Sequence, residues 1–173
     1  MIDSGGFQLL NAELKGKPIQ SDPNKPMQFK DAINLAPKHV IETSILCNAQ
    51  FVIGLNIPIQ KINAKNTLLR EREFKNKLQK NVCWSQEMCR LRKQYCPYIN
   101  LLIPIQCYNI NQFYEFVFQL DGFDFDGFSL PCRNMNLNEI ADFMLHIYLL
   151  GFRSIHFMGV AAYSAIALAA YLA

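Results

Sequence analysis

Residues 101–130 read LLIPIQCYNINQFYEFVFQLDGFDFDGFSL. A short apolar run, Leu101–Ile105, is followed by INQFYEFVFQL over 110–120 with helical spacing, and then by a second apolar run, Gly127–Leu130. Runs this short and uniformly apolar suit strands buried on both faces, and two parallel strands need a crossover between them. The pattern extends outward to Phe51–Leu55 (FVIGL) and Ile155–Met158 (IHFM). Helical spacing recurs between the runs. Asp31–Ala49 sets Ile33, Val40, Ile41, Ile45 and Leu46 at about that period, with Pro37 suited to a first turn. Residues 63–95 read as a long polar helix or helix pair, and 137–150 (LNEIADFMLHIYLL) as an amphipathic helix. The segments 110–120 and 137–150 each carry an Asn near the start as a cap. Strand alternating with helix implies an α/β fold, a parallel sheet with helices packed outside it.

Composition agrees. The chain has 173 residues, 51% hydrophobic and 18% charged, which excludes a wholly disordered protein. Gly 8 and Pro 8 exclude collagen-like and low-complexity classes. The net charge of +3 hides an asymmetry: residues 61–95 hold ten basic and three acidic residues, while the remainder is net acidic. Clustered Lys and Arg suit contacts to a phosphate backbone, with Lys75, Lys77 and Lys80 as the candidates, and equally suit a solvated outer helix. Trp84 and Tyr95 in the same segment suit core packing or stacking on bases.

Six cysteines, Cys47, Cys83, Cys89, Cys96, Cys107 and Cys132, are spread through the chain without a C-x2-C pair, so buried thiols are expected rather than zinc ligands or disulfides. The N-terminus, MIDSGG, has no signal-peptide pattern, and a cytoplasmic setting is expected. Residues 157–173 (FMGVAAYSAIALAAYLA) are uncharged but slightly short for a membrane span, and a buried helix is expected there. His39, His146 and His156 read as structural or surface residues, and Asp121, Asp124 and Asp126 as a solvated loop.

The sharpest local motif is Asp3-Ser4-Gly5-Gly6-Phe7-Gln8. Its glycines let backbone approach a ligand closely, their N–H groups can face an anion or carbonyl, and Asp3 can act as a base. An ordinary Asp–Gly turn reads the same way. The motif gains weight beside later strand ends: Asn56 after FVIGL, Gln106 after LLIPI, Ser129-Leu130-Pro131-Cys132-Arg133, and Met158-Gly159-Val160. In barrels of alternating strand and helix, the C-terminal strand ends build the site.

DSGGFQ, LNIPI, PIQ, FDFDGFSL and HFMGV, in this order and over most of the chain, resemble the tRNA-guanine transglycosylases. The resemblance implies a (β/α)8 TIM barrel and a glycosyltransferase that exchanges guanine in tRNA for a 7-deazaguanine, as in queuosine formation, with DNA as substrate in related proteins. It implies that Asp3 is the general acid/base and that Ser4, Gly5 and Gly6 form its supporting turn. Phe7 and Met158 would face the two sides of the bound base, and Gln106 would contact it.

Departures from the family are informative. Asn56 stands where the family has Asp, and an amide both donates and accepts where a carboxylate accepts. Cys107-Tyr108 follow Gln106 in place of Gly-Gly, which predicts less room for a base. Pro131-Cys132-Arg133 replace Gly-Gly-Leu; Pro131 removes an N–H, and Arg133 can reach a phosphate or carbonyl. The family's nucleophilic aspartate and its zinc site have no counterpart within residues 1–173, so no metal or cofactor is expected in this chain. The expectation is therefore a partial barrel, the central portion of one domain, lacking the first strands and the nucleophile and zinc regions. The expected partners are tRNA or DNA, a guanine or 7-deazaguanine base and a second chain, with no membrane. A non-catalytic nucleic-acid-binding subunit, a DNA-modifying relative, or an unrelated small-molecule enzyme are the alternatives.

Overall fold

The computed structural model describes residues 27–28, 34–59, 67–132 and 135–159, together with positions 167, 170 and 171. A short antiparallel pair, β1 (Met27–Gln28) and β2 (Asn34–Leu35), leads into α1 (Pro37–Leu46). Then follow β3 (Phe51–Ile53), α2 (Thr67–Tyr95), β4 (Asn100–Pro104), α3 (Ile110–Phe118), β5 (Gly127–Pro131), α4 (Leu137–Leu149) and β6 (Ser154–Met158). The four strands β3-β4-β5-β6 are parallel and in chain order, each joined to the next through a helix. They form a curled half-barrel, consistent with part of a TIM-like barrel.

The helix boundaries follow local chemistry. α1 starts at Pro37, not at Asp31, because the residue before a proline is pushed out of the helical region; Ala36 is extended, with φ −137° and ψ 159°. The caps are Asn109, whose Oδ1 accepts from Gln112 N at 2.9 Å, and Asn136, paired reciprocally with Glu139 in a capping box. The polar segment forms one helix, α2, and not a pair. Its buried stripe, Phe74, Leu78, Val82, Ser85, Cys89 and Arg92, recurs every three or four residues and faces the sheet.

The sheet has two buried faces. Val52, Leu101, Ile103, Ile105, Phe128 and Leu130 pack with the helices, joined by Phe113, Phe143 and Ile147. Phe113 meets Phe128 edge-on at 5.5 Å and Phe143 at 5.7 Å. Alternation turns the intervening residues to the other face: Ile53, Leu102, Gly127 and Ser154 lie in one row by register, then Pro104, Ser129 and His156, then Pro131 and Met158. A Cβ at position 127 would fall on the Ser154 carbonyl, so glycine lets β5 and β6 close together.

At the N-terminal edge of the sheet, Arg92 is the hub. Its side chain, 9% exposed, donates to Ile99 O at 3.0 Å, Asp124 Oδ2 at 2.7 Å and Asp126 Oδ2 at 2.9 Å. Asp126 Oδ2 also accepts from Leu101 N at 2.7 Å. The acidic loop is solvated at Asp121 and Asp124, as expected, and beyond that expectation Asp124 and Asp126 neutralise a buried guanidinium and tie α2 to the start of β4 and β5. No helix among the described residues is long and apolar enough to cross a membrane. The segment 157–173 lies mostly outside the described residues.

Candidate functional site at the C-terminal edge of the sheet

The loop after β3 runs Gly54–Ile59 along the C-terminal edge, held by amides from two other elements. Asn81 of α2, 1% exposed, accepts from Ile57 N at 2.7 Å and donates to Ile57 O at 3.0 Å. Gln106, just beyond β4, accepts at its Oε1 from Ile59 N at 3.2 Å. Asn56 lies between these anchors. It is 5% exposed, and its side chain makes no hydrogen bond to a described residue. The structure thus brings Asn56 and Gln106 to one edge of the sheet.

Met158 ends β6 on the same edge, in register with Pro131 and half-buried. One strand, β5, separates β6 from β4, so Met158 stands about 10 Å across from the Gln106 side. Cys107 lies in the core cluster and Tyr108 packs against it. Asp3, Ser4, Gly5, Gly6, Phe7 and Arg133 lie outside the described residues.

Burial disfavours the thiolate at four cysteines. It raises Cys89 and Cys107 to about 12 and Cys132 to about 11, and raises Cys96 as well. Arg92 pulls Cys89 down, but desolvation outweighs it. Among the described residues no group of three or more His, Cys, Asp or Glu could hold a metal ion. The buried thiols expected from the sequence are found at Cys89, Cys96, Cys107 and Cys132.

The three lysines of α2 fall in different environments. Lys75 is exposed. Lys77 is 13% exposed at its side chain and pairs with Glu73 at 3.0 Å. Lys80 is 5% exposed and lies 5.2 Å from the centre of the Trp84 ring. Lys80 therefore belongs to the packed side of the helix, and Trp84, 3% exposed, is a core residue; Tyr95 is exposed. The histidines have structural neighbours in two cases: His39 Nδ1 accepts from Ala36 N at 3.1 Å, and His146 Nδ1 meets Tyr114 OH at 2.8 Å.

Sequence reasoning passed over Asn81 and named Ser129 only within the strand-end run 129–133, with no role of its own. Asn81 is one amide in a polar helix, and nothing local marks it as the clamp on a loop 24 residues away. Ser129 carries a weak signal, a hydroxyl within a uniformly apolar strand; it is fully buried and its Oγ has no hydrogen-bond partner. An open aromatic groove of about 900 Å³, lined by Phe118, Phe123, Phe125 and Phe152 among others, lies at the opposite, N-terminal edge. No protein-family model matches this chain, and no curated protein is significantly similar to it.

Proposed function

We propose that this chain forms the base pocket of a transglycosylase-type enzyme, which replaces guanine in nucleic acid, tRNA foremost, by a 7-deazaguanine. The observation that carries the reading is the Asn56 amide, buried and without a described partner, beside Gln106 at the C-terminal edge of a curled parallel sheet. Such an edge is where barrel enzymes bind substrate. Carboxamides suit the edge of a nucleobase, because each offers both a donor and an acceptor. Met158 supplies an apolar face, and Asp3, by its motif, the proton-transfer group.

In this reading a nucleophile displaces guanine from the ribose anomeric carbon, forming a glycosyl–enzyme bond as the bond to guanine breaks. The incoming base then displaces the enzyme group. Asp3 accepts or donates the proton that moves on the departing and entering bases. No residue of this chain is assigned as the nucleophile, so exchange requires further sequence or a second chain. The setting that suits tRNA is the cytoplasm.

A non-catalytic nucleic-acid-binding subunit is the second reading. Arg72, Lys75, Arg90 and Lys93, exposed on α2, favour it. Incorporation of labelled guanine into tRNA by this chain would refute the subunit reading. Calorimetry with guanine tests the pocket directly. Micromolar binding that Asn56→Ala weakens is expected; no binding of guanine by the wild-type chain would overturn the base-pocket reading.

A further inference from the structure

Two polar side chains with no described partner stand next to each other on the inner face of the sheet. Ser129 of β5 is in register with His156 of β6. Phe128 packs on Phe113 of α3, so Ser129, the next residue along the strand, points away from the helices. Register places His156 on that same face, and Met158, two residues on, continues it toward the C-terminal edge. Ser129 is 0% exposed and its hydroxyl has no partner. His156 is half-buried, and no hydrogen bond joins its ring to a described residue.

An enclosed hydroxyl left unpaired is costly, so a hydrogen bond that satisfies it is worth more than an ordinary one. Paired residues on neighbouring strands are about 4.8 Å apart, within reach of a serine–imidazole hydrogen bond after one side-chain rotation. Such a bond engages one ring nitrogen, fixes the tautomer, and leaves the other nitrogen as a defined donor or acceptor.

We propose that Ser129 and His156 form a pair completed by ligand: Ser129 Oγ bonds one ring nitrogen of His156, and the other ring nitrogen bonds the polar edge of a planar heterocycle seated against Met158. His156 is then a ligand contact and Ser129 the residue that positions it. The proposal rests on the base-pocket reading and deepens it, because neither residue has a role in the sequence resemblance. Ser129 and His156 bring a hydroxyl and an imidazole to this face, so the recognised edge is a hydrogen-bonding one.

The test uses the full chain labelled with ¹⁵N and ¹³C in histidine, titrated separately with guanine, adenine and uracil, with the ring nitrogen shifts of His156 as the readout. Guanine should drive His156 to one tautomer. Ser129→Ala should leave thermal stability unchanged or raised, weaken guanine about 2- to 10-fold and return the ring to mixed tautomers, while Ser129→Thr restores the single tautomer. His156→Gln should weaken guanine by about tenfold. Guanine binding with wild-type strength and an unchanged ring spectrum in Ser129→Ala would overturn the pair and leave the base-pocket reading standing. If adenine or uracil moves the ring and guanine does not bind, the pair stands and the guanine reading falls. A ring spectrum indifferent to all three bases overturns the pair.

Discussion

Ile57 is gripped at both of its backbone groups by the side chain of Asn81, at 2.7 Å and 3.0 Å. The amide takes the place of a neighbouring strand: it offers an acceptor and a donor with the spacing of a backbone rung. The loop that carries Asn56 is thereby fixed to α2 as well as to the sheet, where Gly54 N donates to Leu102 O at 2.9 Å. Asn81→Leu should cost about 2–4 kcal/mol in urea unfolding, since two buried backbone groups lose their partners together. Guanine binding should fall further than stability predicts, because the Asn56 loop is released.

The Arg92 cluster predicts an asymmetry between its two carboxylates. Asp126 is 28% exposed and also holds Leu101 N, whereas Asp124 is 75% exposed and holds Arg92 alone among the described residues. Asp126→Ala should destabilise by about 3 kcal/mol, because it takes the less exposed of two carboxylates from a buried guanidinium and leaves a backbone N–H without its acceptor. Asp124→Ala should cost less than about 1 kcal/mol, as at an exposed ion pair. Equal losses in chemical denaturation would contradict this.

Alkaline pH should unfold the chain through its buried thiols. Burial raises Cys89 and Cys107 from 9.0 to about 12. Between those values the unfolded chain has lost the thiol protons and the folded chain keeps them, so the unfolded state binds fewer protons and stability falls as pH rises. The stabilisation from neutral thiols is whole below pH 9.0 and is lost as pH climbs toward about 12. Cys89→Ala should flatten that slope in pH-dependent melting; a slope identical to wild type would exclude the thiol as its source.

The lysines of α2 should separate by phenotype. Lys75→Glu, at an exposed site, should weaken tRNA binding and reduce the dependence of log affinity on log salt by about 1, with the melting temperature unchanged. Lys80→Glu should act on folding, because it places a carboxylate in the packed site over Trp84. Filter binding across a salt series, read beside thermal melts, distinguishes the two.

Gly127→Ala should be severe for so small a change. The added methyl meets the Ser154 carbonyl, a backbone atom that cannot rotate away, and its relief separates β5 from β6. A loss of about 3 kcal/mol or more is expected in chemical unfolding. Gly122→Ala, with open space around it and φ of +76°, should cost about 1 kcal/mol, from backbone strain alone.

Much of the architecture was legible in local sequence. Apolar runs such as LLIPI and GFSL mark buried strands because a parallel strand is covered on both faces, and that requirement acts on each residue separately. The start of α1 was less legible: apolar spacing runs through Pro37, while the proline restricts the residue before it. Asn56, Gln106 and Met158 were found at strand ends because the end of an apolar run is itself a local signal. Lys80 was misplaced because charge is read from composition, whereas burial depends on which stripe of a 29-residue helix faces the sheet.

The sequence by itself determined the alternation of strand and helix and the parallel sense of the sheet. These follow from periodicity and run length, which are properties of neighbouring residues. Tertiary structure alone decided that Arg92 meets Asp126 across 34 residues, that Asn81 grips Ile57 across 24, and that Ser129 stands in register with His156. Register and helix rotation set those meetings, through the joint packing of elements distant in the chain. No residue's own chemistry announces which partner the packing will bring.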